Sequence, residues 1–330
     1  MAIQLTPLPL PASADASKFT EFGREVSGVD PGNLTSEQFE EVREAFPKYD
    51  TLLFWNATLT PEQQYAVTKA FDPTSQNYGH GNNKTEGTAK SILHPDLKTI
   101  PRLAEAKLKH PSHTTFHKTT VSPEDAAAGA TRFYRWHIDA ALYDLSPPRV
   151  TTLYALRVPR GPPQTIWALL PPELKSVAVR ARVRVMWMGP AHAKSTGLGL
   201  EYEGLEVELG ALPPWEEAKR KTLPVLWKNP VTGELAFQVH AALYPDGAHL
   251  TDLKEVRDLL YTMQRPAIAP HLVYPHDWHE NDLVLFHNRG VLHTVVGAFA
   301  PEQVRAFHQR DLAASDDPAG PSAEDMGWWA

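Results

Sequence analysis

The chain has 330 residues, 42% hydrophobic and 22% charged, which is enough apolar content for a sizeable packed core. Its net charge is -7 with no basic run, which argues against nucleic acid and a membrane surface as partners. With no cysteine it can hold no disulfide, zinc–thiolate site, iron–sulfur cluster or cysteine nucleophile.

The N-terminal Met1-Ala2-Ile3-Gln4-Leu5-Thr6-Pro7 lacks a basic region followed by an apolar run, so no signal peptide is expected. No apolar run reaches the ~18 residues of a membrane span, and a cytoplasmic protein is expected. Residues 1–30 are polar and proline-containing. Residues 36–46 predict an amphipathic helix with Phe39, Val42 and Phe46 on one side. Residues 51–55 predict a buried strand. Thr60 then caps a second helix, with Pro61 in its first turn and Gln63 completing a capping box, running to about Phe71. Residues 72–120, rich in Gly, Asn, His and Thr, are expected to be loop.

Strands are predicted over 131–142 and 149–158, a turn at Gly161-Pro162-Pro163 and a helix over 171–179. Further strands are expected at 183–188, 223–229, 236–240, 282–286 and 304–311. A capped helix over 251–264 puts Leu253, Val256, Leu260 and Met263 on its apolar side. Short strands, proline-rich turns and few long helices predict a mainly β fold with flanking helices, a β-sandwich or jelly roll. No repeat or linker divides the chain. A single domain over 1–330 is expected, with its core at about 50–312 and a tail over 313–330.

His137 and Asp139 are two residues apart, so in an extended strand they share a face. An imidazole and a carboxylate on one face can reach one metal ion. A third ligand must come from far away in the chain. His293, at the end of Asn281-Asp282-Leu283-Val284-Leu285-Phe286-His287-Asn288-Arg289-Gly290-Val291-Leu292-His293, is the candidate, and His240 is its main rival. His287, in the same stretch, has no matching role. Two histidines and one carboxylate with open positions opposite are the arrangement of non-haem Fe(II) oxygenases. A bidentate 2-oxo acid could fill two open positions and dioxygen the third. The distal carboxylate of 2-oxoglutarate needs a cation, and arginine offers a bidentate fork. Arg305 and Arg310 follow His293 by twelve and seventeen residues. Thr165 could donate a hydroxyl to the same carboxylate. An isolated His-x-Asp is more often a surface strand with two polar residues, and a single histidine or arginine is more often ordinary. The conjunction carries the reading.

Trp136-His137-Ile138-Asp139, Gly161-Pro162-Pro163-Gln164-Thr165, the stretch ending at His293, and Val304-Arg305 together resemble the taurine/2,4-D dioxygenase (TauD/TfdA-like) family. The resemblance implies a double-stranded β-helix (jelly roll) core. It implies that His137, Asp139 and His293 bind Fe(II), that Thr165 and Arg305 hold 2-oxoglutarate, that O2 is consumed and that ascorbate acts as activator. Succinate and CO2 are the implied products. Longer stretches, including Tyr78-Gly79-His80-Gly81, Ser91-Ile92-Leu93-His94-Pro95-Asp96-Leu97 and Gln264-Arg265-Pro266-Ala267-Ile268-Ala269-Pro270, resemble the fungal xanthine dioxygenase-like branch, whose members hydroxylate xanthine to urate.

Two departures bear on specificity. The segments after Thr165 and around 101–109 are short for the family. Asp311, in Gln309-Arg310-Asp311, stands where the xanthine branch is expected to hold an amide, and an acid suits an amine or another cation. Lys98, Lys118, Gln309 and Asp311 are the candidate substrate contacts. The expected partner is a small polar molecule, with no nucleic acid and no membrane, and the chain is a candidate homo-oligomer. The same chemistry on an amino acid, amine or fungal secondary metabolite is the alternative. A non-catalytic jelly-roll binding protein and a zinc hydrolase with the same ligands are the readings of another class.

Overall fold

The computed structural model describes residues 2–10, 14–76, 100–103, 138–139, 146–157, 165–166, 182–186, 220–237, 245–246, 255, 258–259, 262–263, 272–274, 276–293 and 306–328. The first strands are β1 (Gln4–Pro7), β2 (Arg24–Ser27) and β3 (Thr51–Phe54). Helix α1 (Ser36–Tyr49) precedes β3 and α2 (Pro61–Ala70) follows it. Next come β4 (Ile100–Leu103), β5 (Val150–Arg157), β6 (Thr165–Ile166), β7 (Arg182–Met186), β8 (Arg220–Pro224) and β9 (Leu226–Lys228). The chain closes with β10 (Leu235–Phe237), β11 (Pro245–Asp246), β12 (Val273–Tyr274), β13 (Leu283–His287), β14 (Ala306–Asp311) and α3 (Ala323–Trp328).

Both long helices start where the sequence predicts. Thr35 and Gln38 form a capping box on α1, and Thr60 and Gln63 form one on α2, with Pro61 at its start. Each box gives orphan backbone donors a partner within three residues. Asp50 ends α1 in the left-handed region (φ 55°) and turns the chain directly into β3.

Seven strands form one mixed sheet in the order β1-β2-β3-β13-β5-β14-β4. Among its described pairings only β2–β3 is parallel. β13 is central: Leu283 pairs with Phe54 on one side and Tyr154 on the other, and Phe286 pairs with Thr51 and Thr151. Leu52, Phe54, Val150, Tyr154, Leu283 and Leu285 pack against Val42 and Phe46 of α1. Leu53, Val284 and Phe286 turn to the opposite face, beneath Leu8, Phe19, Phe22, Tyr274 and Val291. Small sheets β11-β7-β8, β10-β9 and β12-β6 complete the described strands.

The structure departs from the sequence reading in places. Strands β1 and β4 include Pro7 and Pro101 and lie at the two edges of the sheet, where a missing ladder donor is tolerated. The expected strand 223–229 is broken at Val225 into β8 and β9. Asp139, expected in an extended strand, lies in a turn. The expected helix over 251–264 is helical at residues 255, 258–259 and 262–263, and Met263 is buried. The helix expected over 171–179 lies outside the described residues.

Candidate active site

The site grows from the end of β13. All five β13 residues are buried. The chain then turns at residues 288–290 and returns to His293. The turn is tight. A Cβ at Gly290 would stand 2.6 Å from His287 Nδ1 and 2.7 Å from Asp50 Oδ1, which themselves lie 2.8 Å apart. The His293 ring rests on Phe286, centroids 4.8 Å apart, which places it on the face of the sheet away from α1.

Asp139 meets His293 there. Its Oδ1 lies 3.7 Å from His293 Nε2, with Asp139 1% exposed and the His293 side chain 17%. That distance is too long for a hydrogen bond. It suits two donors sharing one ion, since ligand atoms ~2.1 Å from a common metal lie ~3–4 Å apart. Asp139 is held through its backbone. Its N–H donates to Asn288 Oδ1 (2.7 Å), and Asn288 Nδ2 donates to its carbonyl (3.0 Å). A buried carboxylate and an imidazole facing each other fit a divalent metal of the oxygen- and nitrogen-liganded kind. Among the described residues no group of three acidic or histidine side chains forms a metal site, and His137, the expected third ligand, lies outside them.

The remaining candidates divide by strand alternation. Gln309 pairs with Leu153 and Asp311 with Thr151, the partner of Phe286. Gln309 and Asp311 therefore share the face that carries His293. Gln309 Nε2 and the hydroxyls of Thr51 and Thr151 on that face are buried and have no hydrogen-bond partner among the described residues. Arg310 points the other way. It pairs with Thr152, and its guanidinium sits 4.5 Å over the Tyr65 ring of α2. Burial pushes its pKa below the ordinary arginine value. The structure thus does not bring Arg310, an expected 2-oxoglutarate anchor, to the Asp139–His293 pair. Thr165 lies in β6 opposite Tyr274, whose ring packs in the cluster with Phe286. Lys98, Lys118, His240 and Arg305 lie outside the described residues. The sequence reading missed Asn288. Its one signal was a polar residue placed between a buried, largely apolar strand and a candidate ligand.

The profile of the taurine catabolism dioxygenase TauD, TfdA family matches residues 8–310. The chain belongs to that family. It is 43% identical to the alpha-ketoglutarate-dependent xanthine dioxygenase xan1 of Schizosaccharomyces pombe, over 98% of this chain and 91% of the relative. It is equally similar to xanA of Emericella nidulans, an enzyme of the same description, over 96% and 98%. The alignment with xan1 runs to 382 positions, so that relative carries residues this chain lacks. Among solved structures, AAD-2 in complex with Mn(II) and N-oxalylglycine superposes with a TM-score of 0.66 at 20% identity, covering 96% of this chain and 99% of that one. A taurine dioxygenase from Burkholderia xenovorans gives 0.61 at 20%, covering 97% and 91%. These neighbours share the fold. The family and its close relatives make the chain an alpha-ketoglutarate (2-oxoglutarate)-dependent dioxygenase. Among the described residues no helix is long and apolar enough to cross a membrane.

Proposed function

We propose that this dioxygenase uses Fe(II) and oxidises xanthine to urate on a jelly-roll core. His137, Asp139 and His293 would hold the metal, and Thr165 and Arg305 the 2-oxoglutarate. The observation that carries the reading is the buried Asp139 carboxylate facing His293 at 3.7 Å. Iron bound there supplies the redox chemistry that couples O2 and 2-oxoglutarate to succinate, CO2 and one oxygen atom for the substrate. The chain's own residues bind and orient. Gln309 Nε2, buried and without a partner among the described residues, suits a purine carbonyl oxygen. Asp311, on the same face, suits a ring N–H, with Lys98 and Lys118 as further contacts. The similarity to two xanthine dioxygenases supports this substrate. Asp311 favours a second reading, an amine or amino acid, because a buried acid pairs best with a cation.

The test is succinate release in air with Fe(II), 2-oxoglutarate and ascorbate, across xanthine, hypoxanthine, taurine and small amino acids. Urate formed one-for-one with succinate from xanthine, and lost in His293→Ala, is the expected result. Turnover of an amine without xanthine turnover would move the substrate to the second reading. No succinate from any member, together with no metal binding, would overturn the enzymatic reading.

A further inference from the structure

We propose that Asn288 is a positioning residue that sets the Asp139–His293 geometry, and that Arg289 and Asp316 lock it from the C-terminal segment. The inference rests on the reading that Asp139 and His293 bind the metal.

The argument begins with connectivity. Asn288 is 0% exposed and lies five residues before His293 on the same chain segment. Its planar amide grips both sides of Asp139, accepting from the Asp139 N–H and donating to the Asp139 carbonyl. Nδ2 also faces the Pro148 carbonyl at 3.3 Å. Two backbone bonds to one rigid group restrict the torsions of Asp139 and so the direction of its carboxylate. The distance between the two ligands is thus fixed through a five-residue path, although they are 154 positions apart in the sequence.

Arg289 anchors the same pair of segments. Its Nε and Nη2 donate to the Pro147 carbonyl at 3.1 and 2.9 Å. Its Nη1 reaches Asp316 Oδ1 at 3.0 Å, and Nη2 reaches the Asp316 carbonyl at 2.5 Å. Asp316 also receives Arg149 Nη2 at 2.7 Å. One carboxylate therefore ties together the segment after Asp139, the segment before His293 and the C-terminal run. The same run is tethered separately at Lys228–Asp325, 2.6 Å. That second tether provides a control, because its side chains bond to each other and to Ser322.

Mn(II) binding to the full-length metal-free protein, followed by the loss of the free-ion EPR signal, is the readout, with the thermal midpoint measured alongside. Wild type should bind Mn(II), and His293→Ala should not. Asn288→Ala should weaken Mn(II) binding by ~10-fold or more, the size seen when a residue orienting a ligand is lost. Asp316→Ala should weaken it by a smaller factor. Lys228→Ala should lower the midpoint with unchanged Mn(II) affinity. If Asn288→Ala does not fold, Asn288→Asp, which keeps the acceptor and loses both donor bonds, replaces it under the same criterion. Wild-type affinity in the Asn288 and Asp316 variants overturns the proposal. So does a loss in Lys228→Ala equal to that in Asp316→Ala. Absence of Mn(II) binding in wild type overturns the metal reading itself, a distinct result.

Discussion

In the unit α1–β3–α2, each helix start is fixed by residues a few positions away: Thr35 with Gln38, and Thr60 with Gln63. The segments carrying Asp139 and His293 have a different support. Asp139 is held by Asn288, 149 positions on, and Arg289 holds Pro147 across 142 positions. Local caps are redundant, since a weakened helix end still has its packed face. A ligand held by a few distant bonds has no such reserve. The first region should therefore lose stability when altered and keep its chemistry, whereas altering the second should cost metal affinity.

The largest expected effect tests the shared strand. Leu285→Ala opens a cavity under α1 and should cost ~2–5 kcal/mol by chemical denaturation. Mn(II) affinity of the folded protein should not change, because Leu285 faces away from His293. A loss of affinity there would break the division between the two faces. Gly290→Ala comes next. Its methyl group must displace His287 or Asp50, costing ~1–3 kcal/mol. Metal affinity should fall with it, and a variant that is destabilised but binds normally would count against the turn as part of the site. Thr60→Ala removes a cap and should cost ~1 kcal/mol, with Mn(II) titrations matching wild type.

The smallest effect is a pH dependence. The hydrogen bond from Lys228, with those from Ser322, holds the Asp325 pKa down at about 2. A depressed carboxylate stabilises the fold fully above its unfolded value of ~3.9 and loses that contribution as pH falls through the native value. The midpoint difference between wild type and Asp325→Asn should therefore be constant above pH ~4 and shrink from there towards pH ~2. A gap that persists at pH ~2 would show that the tether acts through shape rather than charge.

The same contrast explains what could be read from the sequence. Thr60, Pro61 and Gln63 announce their helix because capping is a matter of three-residue spacing. Strands β5 and β13 were visible as runs rich in β-branched, aromatic and aliphatic residues, within a residue or two of their ends. Edge strands β1 and β4 were not, because proline masks their pattern and only their partners define them. At the site, the pairing of Asp139 with His293 was legible from residue type. Asn288 was not, since nothing in its neighbourhood says that its partner lies at 139. Arg310 was misplaced for a reason within reach: it alternates with Gln309 and Asp311, so all three could not share one face of β14.

The Asn288–Asp139 link also has a consequence for biosynthesis. A nascent chain that has emerged only as far as residue 280 carries Asp139 but neither the amide that orients it nor the histidine opposite. Ribosomal elongation adds only about 5–20 residues each second, so Asp139 waits seconds for its counterparts. A metal held by this pair would therefore have to wait for residues 288–293, and the later stretch with Asp316 in it would close the latch on the site.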